Sequence, residues 1–418
     1  MSIFSETTIS FLFKEVSFFK RKVALVTVLW FILGLLTAIA ELLKNSVNNF
    51  LIFRGVFWHT WQQTNLYLPY VEEYADVNHY GPFFSVVIAP FSILPVNIAV
   101  IVWVLVNSLF YYYAIQQLPF SKKEKIIILW ICLVEHLTAF HNIQFNHAIA
   151  AFIILAYCFV SAKKDFWAAL CIMAGFFIKL YGIVGLAFFF MSKRKTVFFF
   201  SCLFWAAIAF VLPMLISSPG FILQTYHDWY QALVEKNDIN TSIGNYMQDI
   251  SLGGMIRRIS HDYSFNEIII LAGAAFVLLL ETIAVILIGT RKMWLLLLSS
   301  LLLSVVLFSS SSESPTYIIA VSGVAVWFIL SRQDFPRPAI FLLIFVLLFT
   351  SISSTDLVPY AFKSKFIIGY SLKALGCFLV WVAIAAQTIF YYTRFLRERH
   401  QSLSVGYFTA NNNRHLVN

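Results

Sequence analysis

Residues 44–83 gather polar side chains within a chain that is otherwise strongly apolar. Glu72, Glu73 and Asp76 supply carboxylates, Arg54 a guanidinium, and His59 and His79 imidazoles, among aromatic residues that include Trp58, Trp61, Tyr67 and Tyr80. A carboxylate accepts from a hydroxyl and can take its proton as a general base. An aromatic face stacks on the apolar face of a sugar ring, and a guanidinium makes two parallel bonds to phosphate or carboxylate. This mixture is what binding of a polyhydroxylated molecule requires. The same tryptophans and tyrosines would also suit a loop lying in the headgroup belt of a bilayer.

Further candidates lie downstream. Asn142-Ile143-Gln144-Phe145-Asn146 offers the amides Gln144 and Asn146, and Lys179-Leu180-Tyr181-Gly182 offers a cation between two short apolar stretches. Lys179 serves either as an anion ligand or as a side chain that extends to the interface. Arg257 and Arg258 are phosphate ligands or a solvated, headgroup-binding face, and Ser312-Glu313-Ser314-Pro315 adds a carboxylate. Tyr226-His227-Asp228-Trp229-Tyr230 either lines an acceptor groove or anchors a helix end. Glu41, Glu135 and Glu281 fall within or at the ends of apolar runs, where an ionisable group is a functional candidate by default. Glu41 stands close to Asn49, and Glu281 reads as a pairing partner inside a bundle. His136, His141 and His147 do not share one helical face, so no metal site is expected.

The elements that must position these groups are membrane helices. The chain has 418 residues, of which 60% are hydrophobic and 12% charged, about half the charge of a soluble domain. Val23–Leu43, Val96–Tyr113, Val197–Leu215 and Ile268–Ile288 are each long enough to cross a bilayer, and helices are the default there because hydrocarbon offers the backbone no partner. The expected fold class is all-α: a polytopic transmembrane bundle of about 10–12 membrane helices with two long outer loops. Spans are expected near 23–43, 84–118, 126–140, 147–161, 166–178, 181–191, 196–216, 267–289, 293–310, 316–331, 338–352 and 368–392. Pro90 and Pro95 should break the second into a short helix and a full span. The fifth and sixth are too short to cross alone, so a broken hairpin with Lys179–Gly182 at its tip is expected.

The net charge of +9 comes from short basic clusters between apolar runs, which argues for cytoplasmic loops and against a nucleic-acid partner. Placing the clusters inside puts both termini in the cytoplasm and loops 44–83 and 217–266 outside. Residues 1–22 are read as an interfacial or cytoplasmic segment, with a surface helix over 3–19. Residues 23–392 form the membrane domain, and 393–418 a basic cytoplasmic tail. The five cysteines lie inside apolar segments and imply no disulfide framework.

In order and sidedness these features resemble glycosyltransferase family 87, the polyprenyl-phosphate-sugar-dependent enzymes of the membrane-embedded GT-C superfamily. The carrying residues are Leu66-Tyr67, Tyr80-Gly81-Pro82, Pro90…Leu94-Pro95, Trp103…Asn107, Asn142–Asn146, Phe177–Gly182 and Ser312–Tyr317. The resemblance implies a multi-pass protein of the cell membrane that needs no cofactor. It would move a hexose such as mannose from a polyprenyl-phosphate donor, held among membrane lipids, to a glycan or glycolipid acceptor at the outer face. It places the family's catalytic Asp at Asn49, whose amide cannot act as a base. Glu73 and Asp76 are therefore the substitutes, with Arg54, Lys179, Arg257 and Arg258 as cations for the departing phosphate. Tyr67, Tyr80, Gln144, Asn146 and Glu313 complete the expected binding set. The alternative is a transporter or flippase for a lipid-linked sugar or small solute, which would show paired charges at mid-membrane and repeated broken helices in two halves.

Overall fold

The computed structural model describes residues 10–18, 21–265 and 267–414. An antiparallel ribbon, β1 (Glu15–Phe18) with β2 (Arg21–Ala24), leads into helix α1 (Leu25–Leu43). The surface helix expected over 3–19 is thus replaced at 15–18 by a strand, because β2 supplies ladder partners in register; residues 3–9 and 19 lie outside the described residues.

Beyond α1 the chain is helical: α2 (Asn48–Gln62), α3 (Phe84–Ser92), α4 (Val96–Gln117), α5 (Lys122–His141), α6 (Asn146–Ser161) and α7 (Asp165–Lys179). A 3₁₀ helix, Tyr181–Met191, follows, then α8 (Lys195–Val211), α9 (Pro219–Thr241), α10 (Leu252–Ser260) and α11 (Ile268–Ile288). The last elements are α12 (Arg291–Leu307), α13 (Tyr317–Ser331), α14 (Pro336–Val346) and α15 (Lys373–Arg414). Seven described helices are long and apolar enough to cross a membrane, among them α1, α4, α11 and the first part of α15. The chain is therefore a polytopic all-α membrane protein. The two long segments expected as loops contain helices: α2 occupies 48–62 of the first, whose remainder to residue 83 is irregular, and α9 and α10 occupy much of 217–266.

Local chemistry explains the boundaries. Pro95 sits at the N-cap of α4, where its missing N–H costs nothing, and the break falls at 93–95 while Pro90 stays inside α3. Ser121 and Glu124 cap the start of α5 reciprocally, each side chain bonding the other's backbone N–H. Gly289 ends α11 at φ 69°, a left-handed position that glycine adopts without strain. The broken hairpin is present: α7 stops at Lys179, Leu180 turns the chain at φ 51°, and the 3₁₀ leg returns. A Cβ at Gly182 would stand 2.6 Å from the backbone of Gly175 and Phe176, so the legs touch only because the residue is glycine.

α12 and α13 form the centre, with Met293–Leu307 buried throughout, as expected of a helix apolar all round. α11 faces outward, with Ile268, Phe276, Leu280 and Ile286 exposed. Ion pairs gather at one end of the bundle: Lys122 to Glu15 at 2.9 Å, Arg332 to Glu124 at 3.1 Å and Arg194 to Asp165 at 3.2 Å, with Lys292 on Asp334. Inside the bundle, Lys373 Nζ stands 3.0 Å from Glu135 Oε1 and donates to Ser314 Oγ (2.9 Å) and Ser354 Oγ (3.1 Å).

Both members of that pair are buried, so removing one strands the other's charge. Lys373→Met alone should cost about 3–5 kcal/mol, and the double variant Glu135→Leu/Lys373→Met should cost less. Melting temperatures in one detergent test this; a single variant as stable as the native chain would refute it.

Candidate functional site

A cavity of about 880 Å³ opens at the end of the bundle opposite the basic clusters. Its walls are helix ends and the segments between them: α1 to α2, the stretch 76–80, α5 to α6, the hairpin tip, the face of α9, the α12–α13 connection and residues 354–356. Hydrogen bonds beside the cavity tie these segments to one another. Gly81 N–H donates to Ile178 O at 3.0 Å, and Asn146 Nδ2 to Pro315 O at 3.1 Å. A Cβ at Gly81 would meet Phe177 O at 2.1 Å and the Trp229 ring at 2.9 Å. Trp229 Nε1 in turn donates to His79 O at 3.0 Å. Glycine here lets 79–81 dock between the hairpin tip and α9.

Of the sequence candidates, Asn49, Asp76, Tyr80, Gln144, Lys179 and Glu313 line this cavity. Asn49 Nδ2 donates to Asn142 O at 2.7 Å. Asp76 is exposed and accepts from its neighbour's amide, Val77 N–H, at 2.8 Å, with no cation paired to it among the described residues. Lys179 Nζ donates to Asn146 Oδ1 at 2.8 Å and lies 5.3 Å from the Tyr181 ring centroid and 5.8 Å from that of Tyr80. Tyr80 OH donates to Gln144 Oε1 at 3.2 Å, and Tyr67 OH to Tyr80 O at 3.1 Å. Tyr67 and Asn146 thus support the wall through Tyr80 and Lys179.

Four candidates stand elsewhere. Glu73 lies 3.2 Å from His59 Nε2 and outside the cavity. Arg54 Nε donates to Ser92 O at 3.1 Å, joining α2 to α3. Arg257 is buried between Asp249, at 3.2 Å from Nε, and Glu267. Arg258 is spent on the carbonyls of Gln248 (2.6 Å), Asn245 (3.1 Å) and Ile368 (3.2 Å) and on Ser371 Oγ. Burial drives the Asp249 carboxyl above its ordinary range against the pull of Arg257 and Arg258. These two arginines hold α10 and 245–249 against 368–371 and present no free donor face.

The structure adds residues that were not singled out from sequence. Lys236 lines the cavity, with Nζ 3.8 Å from Glu313 Oε1. It shares a face of α9 with Trp229, Leu233 and Asn237, at spacings i, i+4, i+7 and i+8, and that periodicity was available from the sequence. Asp356 also lines the cavity, as does His79, one of the two imidazoles of segment 44–83. Burial, with Lys236 and Lys179 nearby, pushes the His79 imidazole down to about 3, so it stays neutral at physiological pH.

A predominantly helical membrane bundle with a polar, cation-bearing cavity where its helices end is the class of protein this fold and site define. The model of glycosyltransferase family 87 matches residues 78–310. That is more than half of the chain, and the chain belongs to this family: it is a membrane glycosyltransferase. A search of curated proteins finds no match. The matched segment includes Tyr80, Gln144, Asn146, Lys179 and Lys236, whereas Asn49, Asp76 and Glu313 lie outside it.

Two measurements check the geometry. Gly81→Ala should fail to accumulate as folded, monodisperse protein, whereas Gly220→Ala, where a Cβ meets nothing within 4 Å, should behave as the native chain. Because the His79 pKa is depressed in the folded state, the unfolded chain binds a proton there below about pH 6.5 that the folded chain does not. Stability should therefore fall from pH 7 to pH 5, with a shallower slope in His79→Gln.

Proposed function

We propose that the protein transfers a sugar, a hexose such as mannose, from a polyprenyl-phosphate donor to a glycan or glycolipid acceptor at the outer face of the cell membrane, with both termini in the cytoplasm. The observation that carries this reading is the meeting of two cations, Lys179 and Lys236, with the exposed carboxylate Asp76 in one cavity away from the basic clusters. Positive-inside bias puts those clusters in the cytoplasm, and the cavity then faces outward. In this reading a lipid-borne donor enters the cavity from the bilayer between helix ends, and the route needs no nucleotide site.

The chemistry follows from charge. The acceptor oxygen forms a bond to the anomeric carbon as that carbon's bond to phosphate oxygen breaks. The electron pair leaves with the lipid phosphate, where Lys179 and Lys236 stabilise the developing charge. Glu313 beside Lys236 holds that amine in the wall until a phosphate competes for it. Asp76 accepts bonds from acceptor hydroxyls. Arg54, Arg257 and Arg258 position helices in this scheme, and Glu73 orients His59 behind the wall.

The test is turnover of polyprenyl-phosphate sugars by purified protein in nanodiscs. Lys179→Met and Lys236→Met should each lower kcat about 10²–10³-fold, the usual cost of losing one transition-state charge contact, and Asp76→Asn should lower kcat/KM for the acceptor at least about tenfold. Arg257→Lys, if folded, should keep the native kcat. Full turnover in both lysine variants would overturn the assignment of the phosphate subsite.

A further inference from the structure

One pair of side chains at the cavity, His141 on its wall and Glu41 buried behind it, takes no part in the scheme above. α1 and α5 end side by side, and His141 Nδ1 lies 2.7 Å from Glu41 Oε1. Glu41 is only 4% exposed, whereas half of the His141 side chain is open and lines the cavity. Lys44 Nζ stands 3.5 Å from the same carboxylate oxygen. A carboxylate without a proton can only accept, so this contact suits a ring that carries its hydrogen on Nδ1 and leaves Nε2 as the nitrogen facing the cavity with a lone pair. Among the described residues no group hydrogen-bonds that Nε2.

A buried acid that fixes the tautomer and direction of an open imidazole makes that imidazole an effective proton acceptor, since the acid stabilises the imidazolium that forms. The neighbouring amide cannot do this work. Asn49 has no basic lone pair, and its Nδ2 is committed to the carbonyl of Asn142, the residue that follows His141. The proton-accepting nitrogen and the amide therefore share one patch of wall.

We propose that His141, oriented by Glu41, is the base that removes the acceptor hydroxyl's proton. This rests on the glycosyl-transfer reading above and deepens it. The hydroxyl proton passes to His141 Nε2 as the oxygen bonds to the anomeric carbon. The bond from that carbon to phosphate oxygen breaks with its electron pair on the phosphate, and the imidazolium later returns its proton to water. Glu41 is a positioning residue, and Asp76 binds acceptor hydroxyls without taking the proton.

Purified native protein, His141→Ala, His141→Gln, Glu41→Gln and Asp76→Asn are compared in nanodiscs with a polyprenyl-phosphate sugar and its acceptor. His141→Ala should lose about 10²–10⁴-fold in kcat, the range for a general base, while the donor KM changes little. Added imidazole should restore turnover in His141→Ala and leave Asp76→Asn unchanged. Glu41→Gln should lower kcat about tenfold or more and flatten the imidazole response. A His141→Ala enzyme with native kcat, or one whose lost kcat imidazole does not restore while donor binding persists, overturns the proposal and leaves the transferase reading standing. Native protein that transfers no sugar from any polyprenyl-phosphate donor overturns both.

Discussion

Everything at the open end of this bundle depends on one constraint: a helix that stops inside an apolar assembly leaves backbone and side-chain polar groups that must find partners. Here they find one another. Gly81 N–H closes on Ile178 O, Asn146 spans Lys179 and Pro315, Asn49 caps the carbonyl of Asn142, and Tyr80 reaches Gln144. The pairs are few and directional, so the helix ends do not collapse on each other. The space left between them is the cavity.

The same constraint separates scaffold from chemistry. Arg258 shows the scaffold role, with its guanidinium taken up by backbone carbonyls and one serine. Lys373 is similar: it neutralises Glu135 and ties Ser314 to Ser354, holding two cavity-lining connections at a set distance. Lys179, Lys236, Asp76 and His141 keep faces turned to open space. In the proposed function that open space is the transfer site, and the charge on its walls sets the direction in which electrons move.

Much of the bundle was legible because hydrophobic run length and proline carry strong physical signals. The break near Pro95, the hairpin turning at Leu180 and the end of α11 at Gly289 all fall where local chemistry places them. The long connections were harder. Segments 44–83 and 217–266 looked like loops because their helices carry mixed polar faces, yet α2 and α9 fold against the bundle and bring Asn49 and Lys236 to one cavity. The ribbon at 15–24 was hidden for a similar reason, since a strand needs a partner that its own residues do not reveal.

By itself, the amino-acid sequence determined that the chain is helical and membrane-embedded, which end of the bundle carries the basic clusters and which segments concentrate polar residues. These properties follow from short-range periodicity and from the cost of placing charge in hydrocarbon. Tertiary structure decided which polar residues became wall and which became strut. It sent Glu73 to His59 and Arg257 to Asp249, and it set His141 against Glu41, a residue 100 positions earlier in the chain. Those pairings depend on where distant helix ends meet, and a contact at a few ångströms between remote residues leaves no local pattern to read.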